Sequence, residues 1–212
     1  MGDELAMALV ELKRDDVLET VKEKAERGDD PLGLLEECRR GMTIVGDRFQ
    51  SGEFYLAEMM LAAEIFKGVV SILNPHMEKV RPPKPLGKVV LATLKGDIHD
   101  LGKDIVATLL RAQGFEVHDL GVDVLPAVVL DKVKEVNPEF VGFSALITST
   151  FASMKEASEL LVESGLREKL KLMVGGGVTT PTVKEHIGAD FQTLDAMEGV
   201  TYCLKEIGVQ TS

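Results

Sequence analysis

A chain of 212 residues, 45% of them hydrophobic, is long enough for one domain of about 120 to 130 residues plus a smaller one. Its formal charge of −11 argues against nucleic acid as a partner, because phosphate contacts need clustered Lys and Arg; the plain meaning of the charge is solubility. No apolar run approaches the roughly 20 residues of a membrane span, the opening Met1-Gly2-Asp3-Glu4-Leu5 lacks a signal peptide's basic and apolar regions, and Cys38 and Cys203 stand in no metal-ligand spacing, so the chain reads as cytoplasmic with reduced thiols.

Residues 1–80 contain no convincing strand. Leu5, Leu9 and Leu12 are spaced helically, as are Val17, Val21 and Ala25. Gly28-Asp29-Asp30-Pro31 interrupts the pattern, and Asp30 followed by Pro31 predicts the cap and first position of a new helix. That helix runs through Leu34, Leu35, Cys38, Met42 and Val45 to about Gln50. A further helix starts near Phe54-Tyr55-Leu56 and continues past Met59, Met60, Ile65, Phe66, Val69 and Leu73 to about Met77. Four helices joined by short turns predict an antiparallel bundle. Residues 81–87, with Pro82, Pro83 and Pro85, read as a stiff extended linker.

After the linker the pattern alternates. Strands are expected at 88–94, 115–119, 139–144, 171–175 and 190–194, with helices at 102–113, 125–136, 150–164, 180–187 and 196–207. Five such units with right-handed crossovers predict an α/β domain over 88–212, a doubly wound parallel sheet of order 2-1-3-4-5. The first and third strands then end beside the switch point, where such sheets bind ligands. Three stretches fall on that edge: Gly96-Asp97-Ile98-His99-Asp100-Leu101-Gly102, Ser144-Ala145-Leu146-Ile147-Thr148-Ser149-Thr150, and Gly175-Gly176-Gly177. His99 has a carboxylate two residues upstream and glycines on both sides, the parts of a metal ligand with its supporting group. The glycine triplet alone would suit a phosphate, and the edge would pass for an unspecified nucleotide site. His76, His118 and His186 read as ordinary residues without a carboxylate at Asp97's spacing.

Asp97-x-His99-x-x-Gly102 at the end of a first strand, followed by Ser144-x-Leu146 and a Gly-Gly turn, resembles the signature of proteins that bind cobalamin base-off and His-on. With the helical half ahead of it, the chain resembles the methyl-carrying corrinoid proteins of methanogenic and acetogenic methyltransferase systems, and it is similar to the cobalamin-binding region of methionine synthase. The resemblance implies a helical cap on a Rossmann/flavodoxin-like cobalamin domain. It implies cobalamin as cofactor, cycling between methylcobalamin and the Co(I) corrinoid, with His99 as the lower cobalt ligand. Asp97 would hold the other ring nitrogen, and the hydroxyl of Thr150 (or of Ser149) would complete a relay beyond it. Asp100, Gly102, Gly121, Ser144, Leu146, Thr148, Gly175, Gly176 and Gly177 would bind the cofactor and its nucleotide tail, with Leu120 and Val122 as weaker members. Tyr55, Leu56 and Met59, together with Phe54 and Met60, would shield the methyl group, although at helical spacing such residues otherwise read as core.

The resemblance also implies a shuttle that catalyses nothing alone. Its partners would be a substrate-specific methyltransferase, a second methyltransferase acting on tetrahydrofolate or coenzyme M, and a reductive activation protein; no nucleic acid or membrane is expected. A cobalamin-dependent sensor and the small subunit of an adenosylcobalamin mutase are the alternatives. Sensors of this type carry a basic DNA-binding module, which these residues do not show, and mutase small subunits resemble the α/β half alone. The methyl donor is not written in these residues, because the partner selects it. The proline stretch generates a test: limited proteolysis is expected to cut near Lys84 and release a cobalamin-binding fragment beginning near Leu86.

Overall fold

The computed structural model describes residues 4–77 and 84–209, and the chain divides into two compact units between Lys84 and Pro85. The first unit is helical: α1 (Glu4–Val10), α2 (Arg14–Arg27), α3 (Pro31–Gln50) and α4 (Leu56–Met77). Leu12 falls outside the expected apolar stripe, because its backbone turns into the left-handed region (φ 58°) and the chain reverses between α1 and α2. Asp30 caps α3 as its sequence predicts: the carboxylate accepts from the N–H groups of Leu32 and Gly33, with Pro31 in the first turn. The start of α4 lies slightly later than expected. The Glu58 carboxylate accepts the Tyr55 N–H at 2.9 Å, which leaves Tyr55 outside the first turn as the capping residue.

Packing follows the periodicity. Leu5, Leu9, Val17, Val21, Cys38, Met42, Val45, Met59, Ile65, Val69 and Leu73 are buried, and each of them except the small Cys38 contributes about 1.5–3 kcal/mol. Helix α1 lies so close to α3 that a Cβ on Gly41 would meet the Ala6 carbonyl oxygen at 2.8 Å. Glu37 of α3, itself buried, accepts the Leu5 N–H at 3.0 Å and so satisfies an otherwise orphaned donor at the head of α1.

The second unit alternates strand and helix: β1 (Lys88–Thr93), α5 (Leu101–Gln113), β2 (Glu116–Asp119), α6 (Pro126–Val136), β3 (Phe140–Ser144), α7 (Phe151–Glu163), β4 (Lys171–Gly175), α8 (Pro181–Ile187), β5 (Phe191–Thr193) and α9 (Ala196–Glu206). All pairings are parallel, in the order β2-β1-β3-β4-β5, as the sequence pattern predicts. The helix expected from residue 150 begins at Phe151, after a 3-10 turn over Thr148–Thr150. This unit takes up chain earlier than residue 88: Leu86 donates to the Gly114 carbonyl, and Gly87 accepts the Glu116 N–H. Residues 81–83 of the expected linker lie outside the described residues.

One face of the sheet is sealed by α6, α7 and α8, where Val90, Ala92, Leu94, Val141, Phe143, Leu172 and Val174 pack against Val129, Val133, Met154, Leu161 and Ile187. On the other face α9 approaches β4, with Cys203 Sγ 3.5 Å from Met173 Sδ. Strand register puts Thr93, Ser144, Gly175 and Thr193 in one row at the carboxyl edge. Alternation points this row to the face opposite the Val90 and Val141 core. Among the described residues no helix is long and apolar enough to cross a membrane.

Both thiols are buried, and burial pushes each up to about 12; the neighbouring Glu37 carboxylate adds to the rise at Cys38. Since the thiolate is the nucleophile, neither Cys38 nor Cys203 is expected to react with iodoacetamide at pH 8 in the folded protein. Both should be alkylated in urea, as intact mass before and after unfolding would show.

Candidate functional site

The loop after β1 is held from both ends. Thr93, the buried last residue of the strand, donates its hydroxyl to the His99 carbonyl oxygen at 3.0 Å. Leu94 bridges to Val124 beyond β2, and Lys95 donates to the Val124 carbonyl at 2.8 Å. Gly96 donates to the Asp123 carboxylate at 2.8 Å, while the Asp123 N–H returns to the Asp97 carbonyl at 3.0 Å. The first half of this loop thereby keeps one shape, because the β2–α6 loop supplies its hydrogen-bond partners.

Asp97 is fully buried, and its carboxylate is saturated. One oxygen accepts from His99 Nδ1 at 2.7 Å and from the His99 N–H at 3.0 Å; the other accepts from the N–H groups of Leu146 at 2.7 Å and Ile147 at 3.3 Å. Burial by itself would raise this carboxyl. The Leu146 and His99 N–H groups, the imidazole and the Ile147 N–H outweigh that effect and hold it below the usual carboxylate value. An ionised carboxylate only accepts, so Nδ1 carries the proton and, in the neutral imidazole, Nε2 presents a lone pair. The His99 side chain is 49% exposed, so a fixed imidazole with one basic nitrogen faces outward from a buried anchor. Ile98, Leu101, Leu146 and Ile147 in the same loops are exposed apolar residues. A large, largely apolar metallocofactor held by a nitrogen ligand fits this surface.

The relay expected through Thr150 is different. The Thr150 hydroxyl is buried but donates to the carbonyl oxygens of Leu94 and Lys95, at 3.2 and 3.3 Å. The 3-10 turn aims it at the end of β1, and main-chain N–H groups of Leu146 and Ile147 take the place on Asp97 that a hydroxyl was expected to fill. Ser149 is exposed. The three glycines also have separate reasons. Gly176 has φ +101°, and a Cβ there would collide with the Ala145 carbonyl oxygen, so close packing of the β3 and β4 loops demands glycine with or without a ligand. Gly177 lies against Leu146, at 3.1 Å from the position of a Cβ to Cδ1, and Gly175 faces the Thr193 carbonyl. Gly102 differs from these: a Cβ there meets nothing within 4 Å, which leaves open space at the head of α5.

Other expected positions fall as follows. Ser144 is half-buried in the register row, Thr148 and Asp100 are exposed, and Gly121 sits in the turn after β2 with its carbonyl accepting the Thr93 N–H. In the first unit Tyr55 is 74% exposed and Leu56 half-buried, but Met59 is buried while its neighbour Met60 is exposed. Met59 shares the inward stripe with Ala62, Phe66, Val69 and Leu73, so it belongs to the bundle core, contrary to its expected shielding role. The reading of His118 also needs correction. Glu116 stands two residues upstream, and the strand places both side chains on one face, where His118 Nε2 lies 2.8 Å from the Glu116 carboxylate. Residues not singled out from sequence include Thr93, Asp123 and the ion-paired Lys103 and Asp119. Thr93 and Lys103 could have been suspected as polar residues at inward positions of an otherwise apolar strand and helix.

A doubly wound sheet with an anchored histidine at its switch point defines a ligand-binding α/β domain joined to a helical unit. Residues 87–200 match the B12 binding domain family, and residues 1–74 match a second family of the same description. The chain belongs to the cobalamin-binding corrinoid proteins, and the resemblance read from its three motifs is borne out. It is 42% identical to dimethylamine corrinoid protein 1 of Methanosarcina mazei, over 93% of this chain and 91% of that protein. Its fold is similar to the crystal structure of a cobalamin-binding protein from Desulfitobacterium hafniense DCB-2, with TM-score 0.80 and 38% identity over 98% of this chain and 99% of that one. It is also similar to a chain of the methanol:cobalamin methyltransferase complex MtaBC from Methanosarcina barkeri, with TM-score 0.86 and 30% identity over 98% and 80% of the two chains.

The glycines differ in what packing demands of them. Gly176→Ala is expected to destabilise the cofactor-free chain by roughly 2 kcal/mol or more, through the backbone clash and the left-handed conformation. Gly102→Ala should leave its unfolding midpoint unchanged or raised, since alanine favours helix by up to about 1 kcal/mol, yet weaken cobalamin binding measured by absorbance titration.

Proposed function

We propose that this chain is a cytoplasmic methyl carrier that binds cobalamin base-off with His99 as lower axial ligand. It would take a methyl group from a methylamine-specific methyltransferase and yield it to a second methyltransferase that serves tetrahydrofolate or coenzyme M. A reductive activation protein would be a third partner. The observation that carries the reading is the exposed imidazole of His99, its Nδ1 proton held by the buried Asp97 carboxylate. The methylamine class is supported by similarity to the dimethylamine corrinoid protein, and the existence of a methyltransferase partner by similarity to a chain of the MtaBC complex.

When bound, cobalamin supplies a cobalt centre able to accept and release a methyl group. The chain's own contribution is to fix, shield and make room. Asp97 selects the tautomer of His99 and restrains the ring, and the N–H groups of Leu146 and Ile147 restrain Asp97 in turn. Ile98, Leu101, Leu146 and Ile147 would exclude water around the ligating nitrogen. The row Thr93, Ser144, Gly175 and Thr193 ends in small or hydroxyl-bearing residues. Beside the open space at Gly102, that row would admit the displaced nucleotide tail between polar partners.

Replacing His99 with Ala tests the reading. The variant, reconstituted with cob(II)alamin, is expected to lose the nitrogen superhyperfine coupling of a protein imidazole from its EPR spectrum. Given in turn a purified methylamine, methanol or methoxyarene methyltransferase with that enzyme's own donor, the wild-type chain reduced to Co(I) should be methylated fastest by the methylamine system. Persistence of the coupling would refute the ligand assignment, and preference for another donor would refute the methylamine class.

A further inference from the structure

Lys103 has no role in the chemistry above, yet it is a buried cation near the site: its side chain is 3% exposed. Its ammonium lies 2.6 Å from the Asp119 carboxylate at the end of β2 and 2.7 Å from that of Asp104. Helix electrostatics do not explain the placement. A cation in the first turn of α5 opposes the helix dipole, and an apolar side chain of similar length would fill the same space without desolvating a charge. The hydrogen bonds beyond Asp119 lead to the site. The other Asp119 oxygen accepts the Gly121 N–H at 2.9 Å, the Gly121 carbonyl accepts the Thr93 N–H at 3.0 Å, and the Thr93 hydroxyl donates to the His99 carbonyl at 3.0 Å. On its own helix Lys103 follows His99 closely, where the Asp104 N–H closes the first turn on the Asp100 carbonyl at 2.9 Å.

We propose that Lys103 is a positioning residue for His99: by clamping the head of α5 to the end of β2, it sets the Gly121 turn and, through Thr93, the backbone from which the imidazole projects. This rests on the reading of His99 as the cobalt ligand. Asp97 restrains the ring, whereas Lys103 restrains the main chain that carries it. Two loops separated in the chain by α5 and β2, 94–100 and 120–124, are thus referred to one buried cation. Burial disfavours the ammonium, and the two carboxylates more than offset this, so the clamp stays charged across the physiological range.

The test uses the full-length chain with Lys103→Met, Asp119→Asn and His99→Ala. In the cofactor-free protein, amide hydrogen exchange at Gly121, Thr93 and His99 is expected to speed up about tenfold or more in Lys103→Met, with Val141 in the middle of the sheet unchanged. After reconstitution with cob(II)alamin, a smaller fraction of Lys103→Met should show imidazole coupling by EPR than of wild type at equal cofactor occupancy. Asp119→Asn should shift both readouts in the same direction by less, and it decides the matter if Lys103→Met does not fold. Exchange that is unchanged at the three site amides, or that rises equally at Val141 with full imidazole coordination, overturns the proposal. His99→Ala separates the two claims. If it retains the imidazole coupling, the ligand reading fails; if it loses the coupling while the Lys103 and Asp119 variants keep theirs, the positioning proposal alone fails.

Discussion

A carboxylate with no exposure to water must find its partners within the protein, and Asp97 finds four hydrogen bonds from two different loops. Burying a charge is costly unless every lone pair is engaged. Here the engagement joins the loop after β1 to the loop after β3. Losing one donor would leave an underpaired buried anion, so the shape of both loops is coupled to the ionisation of a single side chain. The histidine that faces outward is therefore the exposed end of a buried network, and its ring orientation follows from main-chain donors on the far side of Asp97.

The sheet supplies what that network needs. Parallel register brings the ends of β1, β3 and β4 level, which is why Thr93, Ser144 and Gly175 form a row and why the loops that follow can interlock. The switch of strand order between β1 and β3 opens the crevice there. Tight packing of the Gly176 turn on the Ala145 backbone then draws the β4 loop against the β3 loop. The opposite face, sealed by aliphatic residues from α6 to α8, gives the edge a rigid base. Function is built on loops, but the loops have little freedom.

The helical unit obeys simpler rules. Its helices are fixed by caps at Asp30 and Glu58, by an inward apolar stripe, and by Glu37 meeting the head of α1. The two units fall under the same family description, yet they use polar groups differently. In the first they close helix ends, and in the second they hold a ligand loop. This chain thus combines a periodic, easily specified bundle with a domain whose loops depend on exact pairing among distant residues.

Much of this was legible in the chain. Strand and helix positions, the Asp30 cap and the Asp97–His99 pair follow from local period and short spacing between residues close in sequence, and the sheet order from the general topology of repeated βα units. One misreading was local, since the carboxylate beside His118 stands two residues upstream; the others share a long-range cause. Thr150 turned to the β1 carbonyls, and the second Asp97 oxygen went to main-chain N–H groups some 50 residues away, which carry no residue-type signal at all. Lys103 found Asp119 across a helix and a strand, a partnership that neither residue advertises. Met59 and Met60 are adjacent and chemically identical, yet only one faces the core, because a helix turns about 100° per residue and the core lies on one side. Residue identity states what a side chain can do; which group it meets depends on how strands and loops converge in space.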